Sequence, residues 1–582
     1  YYGNNTVTAN ILPLAFGLVP KPYINDVVKN TVNTIITTNK GHISCGVIGV
    51  QWLMRELSRK GFADVAYLLA TNKTYPSWGY MVEQGATTIW ELWNGNTANP
   101  EMNSGNHVML LGDLISWCYE TLGGIRSSRQ HTGFKHILMK PDFSIQGISH
   151  ADASYRTPYG KVVSRWKKTL THLEWEVTVP VNTTAEVHLP DGRVEKIGSG
   201  SYHYSVDIPT RSKAVLKDEF LYEEASFPEC HGATIAETPK GDLVAAFFGG
   251  TKERNPDCCI WVCRKEKGSD AWTAPQMVAD GVFKPNDPLA ALAGVTAETK
   301  DHRKACWNPV LFQVPGGDLL LFYKIGLKVS DWSGWLVRSK DGGKTWGKRE
   351  ALPEGFLGPI KNKPEYVGGR IICPSSTEGE DGWRIHFEIS DDKGKTWRKI
   401  GPLEAELALP TQLQGKAVEA KDDQEAGEAI KGEGMKPIYA IQPSILKHKD
   451  GRLQVLCRTR NGQLAEAWSP DNGDTWSKVR LTSLPSNNSG TDAVTLKDGR
   501  HLLVYNDFRT LPGTPKGPRT PLSVALSEDG INWTPVLVLE DSPISQYSYP
   551  SVIQGKDGKV HVIYTWRRQR IKYAEIDLKE LN

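Results

Sequence analysis

Six cations fall in or beside the segments where predicted β-strands begin or end, rather than in polar turns: Arg254, Lys324, Lys361, Lys363, Arg458 and Arg460. A guanidinium presents a fixed fork of N–H donors that grips a carboxylate through two bonds at once, so this set predicts recognition of an acidic ligand. His231, His386, Glu378 and Glu388 could move protons beside it, histidine because it titrates near neutral pH. His386 and Glu388 lie two apart on one strand face, which is equally the pattern of a solvent-facing pair. Each of these residues taken singly also reads as a solvated or structural group.

Such residues need a frame, and 582 residues exceed what one core organises, so two or three domains are expected. From about residue 220 the sequence repeats itself. Ser339 to Trp346, Ser390 to Trp397 and Ser469 to Trp476 are three copies of one turn with Asp at its third position; Ser527 to Trp533 is a shortened fourth and Gly268 to Trp272 a worn fifth. The Asp can accept bonds from backbone N–H groups of its own turn, Gly supplies a positive φ and Trp plugs between strands, a structural role away from any site. Repeats of one turn among strands predict a propeller of four-stranded blades, and five signatures plus sequence for one more predict six.

Upstream, residues 1–137 carry apolar residues at helical spacing in 23–39, 43–57 and 106–122, interrupted by Gly41 and Gly123–Gly124, as in successive helical hairpins. Leu173, Trp175, Val177 and Val179 then alternate with polar residues, predicting a small antiparallel β-sandwich over 138–215. Arg211–Glu219 reads as a linker, 404–436 as an exposed insertion, and 216–582 as the propeller.

A net charge of +3 argues against nucleic acid or an anionic membrane surface as partner, and no apolar run reaches the length of a membrane span. Nineteen Trp and 55 Gly suit a β-rich protein that handles sugars. Nine Cys at irregular spacing include no CxxC pair, so free thiols are expected rather than a metal site, and no Gly-rich loop calls for a nucleotide cofactor.

Residues 74–91, with Gly85–Glu91 and Met102–His107, resemble the C-terminal half of the catalytic barrel of glycoside hydrolase family 78, the bacterial α-L-rhamnosidases. The resemblance spans about 1–215. It implies part of an (α/α)6 barrel, an inverting hydrolysis with Glu91 as general base, His107 on sugar hydroxyls, and a pocket walled by Trp78, Tyr80, Trp90 and Trp93. The family's general acid lies in a motif upstream of this segment, so the chain is expected to be a piece lacking its N-terminal part and half of that site.

Residues 220–580 resemble the sialidase-like propellers, through stretches such as Phe227–His231, Cys306–Val310, Ala440–Ser444, Cys457–Arg460, Ser489–Ala493 and Tyr547–Pro550. Sialidases clamp a carboxylate with three Arg and attack with a Tyr that a Glu activates. The resemblance offers Arg254, Arg458, Arg460, Arg509 and Arg567 for the clamp and Tyr547 or Tyr549 for the nucleophile. The family's Arg-Ile-Pro signature is absent, with Glu229–His231 in its place. The expected assignment is therefore catalysis by His231, Tyr547 and Glu378, with Arg254, Lys361, Lys363, Arg458 and Arg460 on an acidic sugar. The expected substrate is a glycan bearing rhamnose and an acidic sugar, met in the periplasm or outside the cell. The alternatives are a rhamnose–uronate hydrolase or lyase, and an acidic-glycan-binding module without catalysis.

Overall fold

A computed structural model of the chain describes residues 1–128, 130–379, 382–408, 435–510 and 516–581; most of the expected insertion at 404–436 lies outside them. The chain divides into two units, Tyr1–Thr210 and Arg211–Asn582. Among the described residues no helix is long and apolar enough to cross a membrane.

The first unit opens with helices Val7–Ala15, Ile24–Asn33, Val47–Arg59, Ala63–Thr71 and Trp78–Glu83. Val50, Leu53, Met54 and Leu57 recur at the helical period and are buried, so packing of one face holds Val47–Arg59. The Thr6 and Ser77 hydroxyls cap their helices by accepting from Ala9 N (3.2 Å) and Tyr80 N (2.9 Å). The single helix expected over 106–122 is broken into Val108–Leu111, Leu114–Trp117 and a wide turn at Cys118–Leu122. Gly112 is the reason: at φ 59° it lies against the Val50 carbonyl, where a Cβ would come within 2.4 Å. Val108 and Ile115, expected to face a core, are 70% and 52% exposed.

Two four-stranded sheets follow, and the first strand, Ile125–Ser127, precedes the expected boundary at 138. Leu173, Trp175, Val177 and Val179 point inward as alternation predicts, joining Trp166, Ile137 and Val187 in one core. The sandwich is not wholly antiparallel: His136–Met139 runs parallel to Thr184–His188.

Among its described residues the second unit holds six successive four-stranded antiparallel sheets. Their first strands are Glu229–Glu237, Cys306–Gln313, Glu365–Val367, Ala440–Lys447, Asp492–Thr495 and Tyr547–Gln554. The sixth sheet takes its outer strand, Val215–Phe220, from the start of the unit, where a linker was expected. Inner strands such as Leu243–Gly250 are buried throughout, because each is covered on both faces. All nine Cys are free thiols, eight of them buried.

The Asp-bearing turns close the third strands. Asp392 accepts from Lys395 N (3.0 Å), Thr396 N (2.8 Å) and the Thr396 hydroxyl (2.7 Å), and Asp341, Asp471 and Asp529 each accept from their own turns in the same manner. These bonds hold the carboxyls of Asp341, Asp392 and Asp529 far below the usual carboxylate range. Trp476 stacks on Phe387 of the preceding sheet, with ring centroids 4.1 Å apart. The worn fifth copy differs, since Asp270 pairs with Lys217 at 2.9 Å. First and third strands run the same way, so these turns and the starts of the first strands lie at opposite ends.

Candidate active site

At that opposite end, register slips interrupt four first strands: between His231 and Thr234, Trp307 and Val310, Ile441 and Ser444, and Ser548 and Ser551. At each slip one residue takes a left-handed φ: Gly232 (66°), Asn308 (33°), Gln442 (55°) and Tyr549 (53°). A bulge re-aims the side chain it carries. Here three of them converge with loop residues on one centre.

The Tyr549 hydroxyl accepts from Arg458 Nη1 at 2.8 Å and from Gln442 Nε2 at 3.2 Å. The imidazole of His231 lies with its centroid 4.1 Å from the Tyr549 ring, and donates or accepts through Nδ1 with the Thr565 hydroxyl at 2.8 Å. Arg458 also donates to Asn488 Oδ1 at 2.8 Å, and the Arg519 guanidinium lies 5.3 Å from the Tyr549 ring. Arg458 and Arg460 both face Trp383, at 5.3 and 4.0 Å from its ring. Gln546 Oε1 accepts from Arg519 and Arg568 alike, each at 3.0 Å, and Arg568 continues to Glu253. Arg458, Arg460 and Arg519 are only 4%, 8% and 3% exposed. Guanidinium groups gathered at such depth set a positive potential, which favours an anionic ligand.

Of the other predicted residues, Lys361 reaches the centre, its ammonium 5.8 Å from the Tyr549 ring, and the rest land elsewhere. Lys361 donates to Asn362 Oδ1 (2.9 Å) and to the carbonyls of Thr491 (2.8 Å) and Pro550. Burial pushes its ammonium down to about 7, against the pull of Asp492. Lys363 binds both oxygens of Asp492, at 3.1 and 3.0 Å, and Lys324 donates to the carbonyls of Asn308, Pro359 and Ile360. These ammonium groups turn inward: Lys361 and Lys363 tie the entry of the third sheet to the fifth and sixth, and Lys324 ties the second sheet to the loop entering the third. His386 and Glu388 are a buried pair, 3.0 Å apart, and Glu388 accepts from Leu357 N (3.0 Å) and Gly358 N (2.6 Å), which anchors that loop. Glu378 is half-buried at the end of Arg370–Gly379, facing a separate cleft, and Arg254 is exposed.

Tyr547 belongs to the core shared by the fifth and sixth sheets. Its hydroxyl accepts from Arg567 Nε at 3.0 Å, and burial pushes it up to about 12. Of the two tyrosines, the structure puts Tyr549 at the centre. Gln442 and Asn488 stood within or beside the sequence motifs and were findable there. Arg519, Arg568 and Trp383 were not.

In the first unit the two quoted motifs lie side by side. Glu91 N donates to Ser104 O (2.9 Å), His107 N to Ile89 O (2.7 Å), and the Glu91 carboxylate accepts from Ser104 N (2.7 Å). Glu91 and His107 thus sit on adjacent segments, both half-buried. Trp90 packs over Gly95, and Tyr80 meets Asn96 Oδ1 at 3.3 Å. Trp78 departs from expectation: it is buried, donates to Leu110 O at 3.0 Å and packs edge-on against Trp93, which itself donates to Cys45 O at 3.0 Å. Both rings brace the segment from within.

Comparison with known proteins agrees with this division. Residues 1–122 match the bacterial alpha-L-rhamnosidase 6 hairpin glycosidase domain, and residues 124–204 the bacterial alpha-L-rhamnosidase C-terminal domain. An alpha-L-rhamnosidase of Streptomyces avermitilis is 31% identical over 226 residues, 35% of this chain and 22% of its own length. One from Formosa agariphila is 36% identical over 197 residues, 33% of this chain and 21% of its own. The chain therefore spans about a fifth of the length of these curated relatives. Among solved structures, a Hadza microbial sialidase is 14% identical over 71% of this chain and 74% of its own, with a TM-score of 0.47. Residues 241–562, more than half of the chain, match the BNR repeat-like domain, and the chain belongs to that family.

Proposed function

We propose that the six sheets close as a six-bladed propeller, and that its centre is the active site of an exo-acting glycoside hydrolase for an acidic sugar. The observation that carries this reading is the Tyr549 hydroxyl held at 2.8 Å by buried Arg458 with the His231 ring 4.1 Å away. Arg458 and Arg519 take the sugar carboxylate. Tyr549 attacks the anomeric carbon as the glycosidic bond breaks, its phenol proton passing by way of His231 to the leaving oxygen; water then displaces Tyr549 from the anomeric carbon, and a proton returns to the phenolic oxygen through His231. A phenol suits a carboxylated substrate because, when neutral, it meets no like charge. Tyr549 replaces Tyr547 in this role, Lys361 lines the centre beside it, and Glu378, Lys363 and Arg254 have no part in it.

The same contact supports a second reading. A phenolate stabilised by Arg458 is also a base, and on a uronate it would remove the proton next to the carboxylate while the glycosidic oxygen leaves with a proton from His231. The product then carries a new double bond that absorbs in the near ultraviolet.

Residues 1–137 act in this proposal as the C-terminal part of an (α/α)6 rhamnosidase barrel, with Glu91 as the base of an inverting pair. Inversion needs two carboxyl groups about 6.5–9.5 Å apart. In that family the partner acid belongs to a motif upstream of the segment that residues 74–91 resemble. A rhamnose- and uronate-bearing polysaccharide is the substrate class, met in the periplasm or outside the cell.

The test is incubation of the chain with such a polysaccharide and with a fluorogenic sialoside, following fluorescence, released sugars and absorbance together. Release from either substrate that is lost in Arg458→Ala supports the hydrolase. A chromophore from the polysaccharide alone selects the lyase. Silence in all three channels overturns catalysis at this centre and leaves a binding module.

A further inference from the structure

Beside the centre lies a cleft of about 400 Å³ between the second and third sheets, at the same end of the unit. One strand, Arg370–Gly379, walls both. Ser376 lines the cleft while its hydroxyl accepts from Gln442 N at 3.2 Å, and the Gln442 side chain bonds the Tyr549 hydroxyl. Glu378 lines the cleft too, and its partner across the strand pair is Trp383, the ring that Arg458 and Arg460 face.

The two sites have opposite chemistry. The centre gathers buried guanidinium groups. The cleft is walled by Trp332, Phe356, Leu292 and Pro353, with the carboxylates of Glu354 and Glu378 at its rim, and no lysine, arginine or histidine is among its described lining residues. Lys399 stands behind Phe356, 5.0 Å from the ring, and donates to the Gly355 carbonyl. Leu292 is 45% exposed and Trp332 half-buried, so apolar surface is presented to a ligand rather than sealed. The volume lies within the range of ligand pockets, and aromatic walls with a few polar groups suit the C–H-rich face of an uncharged ring. A uronate there would meet Glu354 and lose hydration without a cation to replace it.

We propose that this cleft is the subsite for a neutral sugar unit adjoining the acidic one, so that the second unit reads a charged–neutral pair along the glycan. The proposal rests on the acidic-sugar reading of the centre. Together they define which linkage is cut: the one between an acidic residue in the Arg458 centre and a neutral residue against Trp332.

Calorimetric titration of the whole chain with methyl α-L-rhamnopyranoside and, separately, methyl α-D-galacturonate tests it. The expected result is that Trp332→Ala weakens the neutral glycoside at least tenfold and leaves the uronate unchanged, while Arg458→Ala does the reverse. Glu354 is exposed, so Glu354→Lys keeps the fold, and it is expected to let the cleft bind a second equivalent of uronate. Neutral-glycoside binding that is absent, or that Trp332→Ala leaves untouched, overturns the subsite; so does uronate binding in the wild-type chain that depends on Trp332. If the Trp332 effect stands while Arg458→Ala leaves uronate binding intact, the cleft is upheld and the reading of the centre fails on its own.

Discussion

Tyr547 and Tyr549 are two residues apart, and in an unbroken strand they would share a face. The slip between Ser548 and Ser551 removes that equivalence, turning Tyr549 to the centre and leaving Tyr547 in the core. Sequence alternation cannot reveal a bulge whose signal is a single left-handed residue, so the motif was legible and the choice within it was not. The two tyrosines therefore predict opposite phenotypes. Tyr549→Phe should lower kcat at least about 100-fold, as loss of a positioned proton-transfer or nucleophilic group does. Its urea midpoint should stay close to that of the wild type. Tyr547→Phe should keep most of the activity but lose the bond from Arg567, at a cost of about 1 kcal/mol. Kinetics and urea denaturation on both variants decide it, and an inactive Tyr547→Phe beside an active Tyr549→Phe would refute the assignment. Arg458→Lys adds a finer check. A lysine cannot reproduce the fork that meets Asn488, Gln442 and Tyr549, so KM for an acidic substrate should rise about tenfold or more even though the charge is kept.

The turns closing the third strands were legible because everything they need is local: a hydroxyl, an Asp and a Gly within five residues. Ser390, Asp392 and Gly394 satisfy one another whatever the rest of the chain does, with the Ser390 hydroxyl accepting from Gly394 N at 2.7 Å. The helix expected over 106–122 failed for the converse reason, since the Gly112 conformation answers to Val50, 62 residues earlier in the chain. Arg519 was likewise invisible, lying in a proline-rich loop without period whose importance comes only from Gln546 and Tyr549 across the sheet. The local character of the turn yields a pH prediction. Asp392→Ala should cost about 1–2 kcal/mol, modest because the turn is open to water. The folded-state carboxyl of Asp392 binds a proton less readily than the unfolded one, so its stabilisation is fully present above about pH 4 and is lost as pH falls through the folded value. Urea midpoints at pH 7, 3 and 2 should show the gap between wild type and variant full at the first, mostly retained at the second and clearly smaller at the third, because the folded carboxyl titrates well below the unfolded one. A gap that stays constant to pH 2 would mean that the carboxylate bonds contribute nothing.

At the scale of the molecule, the sixth sheet is built from distant parts of the chain. It is completed by Val215–Phe220 pairing with Arg570–Ile576, so the two ends of the second unit meet in one sheet. The join is more than a backbone ladder. Fully buried Lys572 lies 3.0 Å from Asp218 on the entering strand and 2.6 Å from Glu540 of the fifth sheet, so one ammonium is held by carboxylates from two sheets. Burial raises the Asp218 carboxyl and disfavours the Lys572 ammonium, while their mutual attraction opposes both effects. Removing the strand would leave Lys572 with half of its compensation and an open row of backbone donors and acceptors on Arg570–Ile576. A fragment beginning at residue 211 should therefore unfold in urea as one cooperative transition. One beginning at residue 222 lacks only the closing strand, and should lose about 3–5 kcal/mol, the usual effect of breaking a buried pair, and tend to associate through the exposed edge. In the point variant Asp218→Asn the strand remains and one charge goes, so its loss should fall between the two. Equal midpoints for the two fragments would show that the second unit does not depend on Val215–Phe220, and that Arg211–Glu219 is the linker its composition first suggested.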